Sequence, residues 1–203
     1  VTLITRAQVE KINLNGNSAT GISYRSKGKL HTTEANKEVI LSGGAINSPH
    51  LLMLSGIGPA KHLKEHGIDT QIDLPGVGQN LQDHATTILQ YACKKSFPIH
   101  KVNQPHRKLA TGLRWVFTRK GMATSNIWEA GGLIKSEANV IYPDIQYHFG
   151  PVGFEIDGNK ISLLQAFAIH VDQLRPRSRG QVTLKSANPS DKPLMTFNYL
   201  QDP

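Results

Sequence analysis

Glu38 to Ser42 is a short apolar run that passes directly into Gly43-Gly44, and Ala45 to Leu54 follows with the pattern of a helix. A strand, a glycine pair and a helix in immediate succession gather backbone N–H groups and the positive end of a helix dipole at one point. Such a point suits a phosphate or another anion. The same letters also describe a tight strand-to-helix turn that packs closely without a ligand.

Around this junction the chain alternates between sheet and short helix. Val1 to Thr5 and Ala7 to Leu14 run apolar and polar at period two, Asn15-Gly16-Asn17 supplies a turn, and Ala19 to Tyr24 returns, closed by Ser26-Lys-Gly-Lys29. That is a small antiparallel meander. Pro59 to His66 reads as a short helix with proline in its first turn, stopped by Gly67, and Ile68 to Leu74 as a strand before the loop Pro75-Gly-Val-Gly78. The last third reads as mostly antiparallel sheet: Ile145 to Phe149, Ser162 to Val171, Gln181 to Lys185 and Leu194 to Tyr199, punctuated by Pro176, Gly180, Pro189 and Pro193.

With 38% hydrophobic and 19% charged residues over 203 positions, the chain can bury a core and is not of disordered composition. Its apolar stretches are interrupted well short of the ~20 residues a membrane helix requires. A single cysteine, Cys93, excludes an internal disulfide and any multi-cysteine metal site. With no usable glycosylation sequon either, a reducing compartment is expected: cytoplasmic, or peripheral to an inner membrane, and not secreted. The opening on Val1, without Met or a leader, is what an internal piece of a longer chain would show.

The formal charge of +8 is local. No Asp or Glu occurs between His84 and Trp128, while Lys94, Lys95, Lys101, Arg107, Lys108, Arg114, Arg119 and Lys120 fall there. Charge confined to one stretch is not the spread footprint of a nucleic-acid binder, and no nucleic-acid partner is expected. Leu109, Leu113, Val116 and Phe117 recur at helical spacing among these cations, which describes either a domain-surface helix or a peripheral contact with an anionic membrane.

Two motifs fall short on inspection. His62-Leu-Lys-Glu65-His66 has the letters of a zinc-peptidase helix, but its helix is short and Gly67 ends it at once. Gly56-Ile-Gly58 and Gly76-Val-Gly78 each lack the third glycine of a dinucleotide fingerprint, with Lys61 and Leu81 in its place.

A longer signal is Gly43-Gly-Ala-Ile-Asn-Ser-Pro-His-Leu-Leu-Met-Leu-Ser-Gly-Ile-Gly58, which resembles the second signature of the glucose-methanol-choline (GMC) oxidoreductases. Val39-Ile-Leu-Ser-Gly-Gly44 resembles its approach strand, and Leu74-Pro-Gly-Val-Gly-Gln-Asn-Leu-Gln-Asp-His84 the family's next block. Glu129-Ala-Gly-Gly, Pro143 to Phe149, Arg177 to Ser186 and Phe197-Asn-Tyr-Leu resemble the choline dehydrogenase branch. The resemblance implies an α/β (α+β) chain: part of an FAD-binding domain over residues 1–91, and a mostly antiparallel-sheet substrate domain with a basic helix over 92–203.

It also implies an FAD-dependent oxidation of a primary alcohol, choline above all, by hydride transfer to the flavin, with a quinone or oxygen as electron acceptor. A relative acting on another alcohol is the alternative, and a basic membrane-surface or nucleic-acid module a more distant one. The family's amino-terminal fingerprint and carboxy-terminal catalytic histidine are not among these residues, so no catalytic residue is assigned. Nor is a metal.

Carried over residue by residue, Val9 resembles the position whose backbone meets the adenine. Gly43 and Gly44 allow close backbone approach to the cofactor, Asn80 lies by the isoalloxazine, and His84 closes the cofactor-side block. For substrate, Glu129 is the sole acid between Asp83 and Glu137 and matches a carboxylate of choline-oxidising relatives. A carboxylate attracts a quaternary ammonium without a hydrogen bond, and aromatic faces add cation–π attraction. Tyr147 and Phe149 share one face of their strand and are assigned that role, with Trp128 as a further aromatic. His148 is expected to be structural.

Overall fold

The computed structural model describes residues 1–95, 101–102 and 104–201. They form two compact units, one of Val1–Asp83 with the chain from Arg177 onward, the other of His84–Pro176.

In unit 1, β1 (Ala7–Asn15), β2 (Ser18–Ser26) and β3 (Lys29–Glu34) form the expected meander with one more strand than the sequence announced. Gly16, at φ +57°, makes the first turn. Among the described residues neither Val1–Thr5 nor Glu38–Ser42 is paired as a strand, because an extended run becomes a strand only where a neighbour offers its hydrogen-bonding edge. α1 (Gly44–Leu54) follows the glycine pair as expected and carries Pro49 in its interior. β4 (Ile57–Gly58), α2 (Ala60–Glu65) and β5 (Ile72–Asp73) come next, with β4 and β5 paired in parallel. The strand expected over Ile68 to Leu74 is thus reduced to two residues.

The tail completes the core of this unit. β13 (Gly180–Thr183) lies between β6 (Gln79–Leu81) and β14 (Leu194–Thr196), and Val182 and Leu184 close over Met53 and Leu63, all four almost wholly buried. Gly78 is fixed by this packing. It sits at φ +81°, its carbonyl accepts the Val182 N–H at 2.7 Å, and a Cβ there would stand 2.2 Å from the Val182 oxygen. His62, from the zinc-like motif, spends its Nε2 accepting the Leu184 N–H at 2.9 Å, and burial holds its pKa below the usual histidine range.

Unit 2 is built on a four-stranded antiparallel sheet in the order β7 (Thr86–Ala92), β12 (Ala166–Gln173), β9 (Ile145–Gly150), β8 (Ala130–Ile134). The hairpin of β10 (Gly153–Asp157) and β11 (Lys160–Leu164) stands beside it. The single strand read over Ser162 to Val171 is therefore two strands of two sheets, broken at Gln165, which exchanges hydrogen bonds with Cys93. The basic helix is α3 (Pro105–Thr118), none of whose residues is buried.

The observed division differs from the expected one at both ends. β7 belongs to unit 2 because its backbone pairs with β12 from Thr86 to Ala92. The chain from Arg177 belongs to unit 1 because Val182 and Leu184 find their apolar partners there.

Candidate cofactor and substrate surfaces

Unit 1 contains a hollow of about 470 Å³ between β1 and α1, lined by Val9, Ile12, the run Val39–Ser42, Gly43, Asn47 and His50 among others. Two of the expected cofactor residues, Val9 and Gly43, are thus brought together by elements thirty residues apart. The third, Gly44, opens α1 at φ +77° with nothing within 4 Å of a would-be Cβ, so conformation rather than space demands glycine there. The first turn of α1 has neither a side-chain cap nor an acid, which leaves its N–H groups for an anion. A second hollow of about 410 Å³ lies at the other flank of α1, lined by Ala45, Pro49 and residues 78–82, and so includes Asn80, itself at φ +62°. His84 lines neither hollow and opens unit 2.

Ser55 connects these parts, and the residue-by-residue comparison did not single it out. Buried to 1% exposure, its Oγ donates to the Leu51 carbonyl at 2.6 Å and accepts the Ile12 N–H at 2.8 Å, tying β1 to the end of α1 beneath the first hollow. His50, also buried on α1, has its pKa lowered by loss of solvent.

In unit 2 the two faces of the sheet separate the expected substrate residues. Tyr147 and Phe149 alternate with His148, so they occupy the opposite face from it. Phe149 stands 5.8 Å from Phe167, which stacks on Tyr91 at 5.3 Å, giving that face an aromatic row. Trp128 packs on the other face, its ring 5.5 Å from His148 and 4.6 Å from His170, with Phe154 5.8 Å from His170. Glu129 leads into β8. Its N–H donates to the Phe149 carbonyl at 3.0 Å, and its exposed carboxylate accepts the Ser125 hydroxyl at 3.0 Å. Glu129 and Phe149 are therefore backbone neighbours, while the aromatic ring adjacent in sequence, Trp128, belongs to the histidine face.

That face holds groups the sequence gave no reason to combine. Asp172, 8% exposed, accepts the Thr86 hydroxyl at 2.5 Å through Oδ1 and meets His148 Nε2 at 3.1 Å through Oδ2. His170 is directly opposite His148 across the ladder, its Nε2 buried without a hydrogen bond among the described residues, and burial lowers its pKa. Only the period-two alternation of residues 146–149 was legible beforehand. The pairing of β12 with both β7 and β9 was not, and it alone brings Thr86, His148 and Asp172 together.

Residues 1–86 match the family model of the GMC oxidoreductases. The chain is 44% identical over 200 residues to an oxygen-dependent choline dehydrogenase of Staphylococcus aureus, covering 98% of this chain and 35% of the relative. Among solved structures it resembles the FAD-carrying formate oxidase of Aspergillus oryzae (25% identity, TM-score 0.82, 97% of this chain and 39% of that one). Pyridoxine 4-oxidase of Mesorbium loti is similar as well (25% identity, TM-score 0.73, 96% and 34%). The chain thus spans little more than a third of the proteins it matches.

Proposed function

We propose that the protein to which these residues belong is an FAD-dependent dehydrogenase of primary alcohols, with choline as substrate. The observation that carries the cofactor is the hollow joining Val9 to Gly43 beside the uncapped first turn of α1. Its residues fit the group: Val9 offers a main-chain donor and acceptor for an adenine edge, and Gly43, Gly44 and the free N–H groups of α1 suit a pyrophosphate. The hollow that includes Asn80 supports a seat for the ring system there. Bound there, FAD would supply the hydride acceptor, with oxygen or a quinone as the proposed electron acceptor.

For the substrate, the likeness to a choline dehydrogenase and the geometry around Glu129 support a cationic alcohol. Glu129 contributes charge, and Trp128, packed beside His148 and His170, contributes an aromatic face. Tyr147 and Phe149, on the reverse of the sheet from Trp128, offer a second aromatic face, and the Glu129 N–H is bonded to the Phe149 carbonyl. The test is the visible spectrum of the full-length protein before and after anaerobic addition of choline. Bleaching of a flavin spectrum is expected. A flavin that choline leaves oxidised refutes the substrate, and a correctly folded protein that neither contains nor takes up FAD refutes the cofactor.

A peripheral contact with an anionic inner-membrane surface is supported by α3, which exposes Leu109, Leu113, Val116 and Phe117 beside Arg107, Lys108 and Arg114. Salt-sensitive flotation of the full-length protein with anionic vesicles tests it, and equal flotation with neutral vesicles counts against it.

A further inference from the structure

We propose that Asp172, braced by Thr86, is a positioning residue that holds the His148 imidazole in one orientation on the Trp128 face of the substrate domain. The inference rests on the preceding reading, in which that face receives the alcohol.

The geometry is that of a clamped carboxylate. Asp172 sits on β12 between β7 and β9, and each of its oxygens meets a side chain from a different neighbouring strand, Thr86 Oγ1 from β7 and His148 Nε2 from β9. At 8% exposure the carboxylate depends on these two partners to offset its loss of solvent. Held at both oxygens, it can neither rotate nor drift, and a donor bound to it inherits that rigidity. The imidazole is otherwise loosely fixed. It is about one third exposed and touches the tilted Trp128 ring at 5.5 Å, but among the described residues it makes no second hydrogen bond.

His170 marks the contrast. It is His148's partner across the ladder, yet its Nε2 is buried and, among the described residues, unpaired, with the Trp128 and Phe154 rings packed beside it. His170 is held by packing, while His148 is held by a charge that the fold has gone to some length to place. An exposed, orientable imidazole beside an indole is a surface whose shape depends on where the ring points. Asp172 decides that.

A double-mutant cycle in the full-length flavoenzyme tests this, with His148→Ala, Asp172→Ala and the pair compared on choline and on its uncharged isostere 3,3-dimethylbutan-1-ol. Because misplacing an active-site group by about an ångström costs up to ~100-fold, Asp172→Ala is expected to lower kcat/KM about 10–100-fold on both alcohols in the parent. In the His148→Ala background it should cost almost nothing further, since a residue acting through another has no effect once that other is gone. Asp172→Asn retains the size and one acceptor oxygen for His148, and should recover most of the loss.

An Asp172→Ala effect of the same size with and without His148 would overturn the proposal, as would an intact kcat/KM in Asp172→Ala. Flavin content and Tm read alongside separate these outcomes from simple unfolding, and Thr86→Val, which removes only the brace, should give a smaller loss with the same dependence on His148. A His148→Ala variant with parental kinetics would overturn the proposal together with the placement of substrate on this face. Failure of every alcohol to reduce the flavin would instead refute the reading of the function.

Discussion

Replacing Ser55 with alanine should loosen the cofactor hollow without touching its lining. The hydroxyl is the acceptor for the Ile12 N–H and a donor to the Leu51 carbonyl, at a site that is 1% exposed. Alanine removes both bonds and leaves the Ile12 amide, in a residue 5% exposed, without a partner. An unsatisfied buried donor costs ~1–3 kcal/mol. If β1 is freed locally, the Ile12 amide should therefore exchange hydrogen about 5- to 150-fold faster, at 1.4 kcal/mol per tenfold. The assay is amide exchange on the full-length protein, with β12 of unit 2 as an internal control. Because Ile12 and Val9 line the same hollow, FAD occupancy after dilution should fall in parallel. Unchanged exchange at Ile12, with occupancy equal to that of the parent, would refute the claim that one hydroxyl ties β1 to α1.

Gly44→Val places a branched side chain at φ +77°, where the left-handed conformation costs an ordinary L-residue ~1–2 kcal/mol, so flavin content of the purified protein should drop; full loading would count against this turn as a cofactor contact. Glu129→Gln keeps an acceptor for the Ser125 hydroxyl and removes only the charge, and should raise KM for choline about 5–10-fold more than KM for 3,3-dimethylbutan-1-ol, given the modest attraction of a solvent-exposed charge. Equal changes would exclude a role in binding the cation. The folded-state pKa values of His50 and His62 are lowered by burial, so on acidification the unfolded chain takes up protons before the folded one does. Their contribution to stability is thus full above about pH 6.5 and is lost below it. The urea midpoint should fall between pH 7.5 and 5.5, less steeply in His50→Gln, and parallel curves for parent and variant would show that His50 contributes nothing to the slope.

The local features were legible in the sequence. Asn15-Gly16-Asn17 marks its turn, Gly67 ends its helix, and Gly43-Gly44 announces α1, because each depends on backbone torsions that neighbouring residues fix. The run Gly43 to Gly58 also contained its own structural explanation, since its Ser55 and the later Gly78 are demanded by contacts with Ile12 and Val182. What only the tertiary structure decided is strand partnership. Glu38–Ser42 reads as a strand and finds no pairing neighbour among the described residues, Gln165 divides one apolar run between two sheets, and the tail from Arg177 crosses back to fill the core around Met53. The same holds for Thr86, His148 and Asp172, which share no local signal. Turns and helices are written in contacts between residues a few positions apart. A sheet is written in hydrogen bonds between segments up to a hundred positions apart, and no short window of the sequence contains both partners.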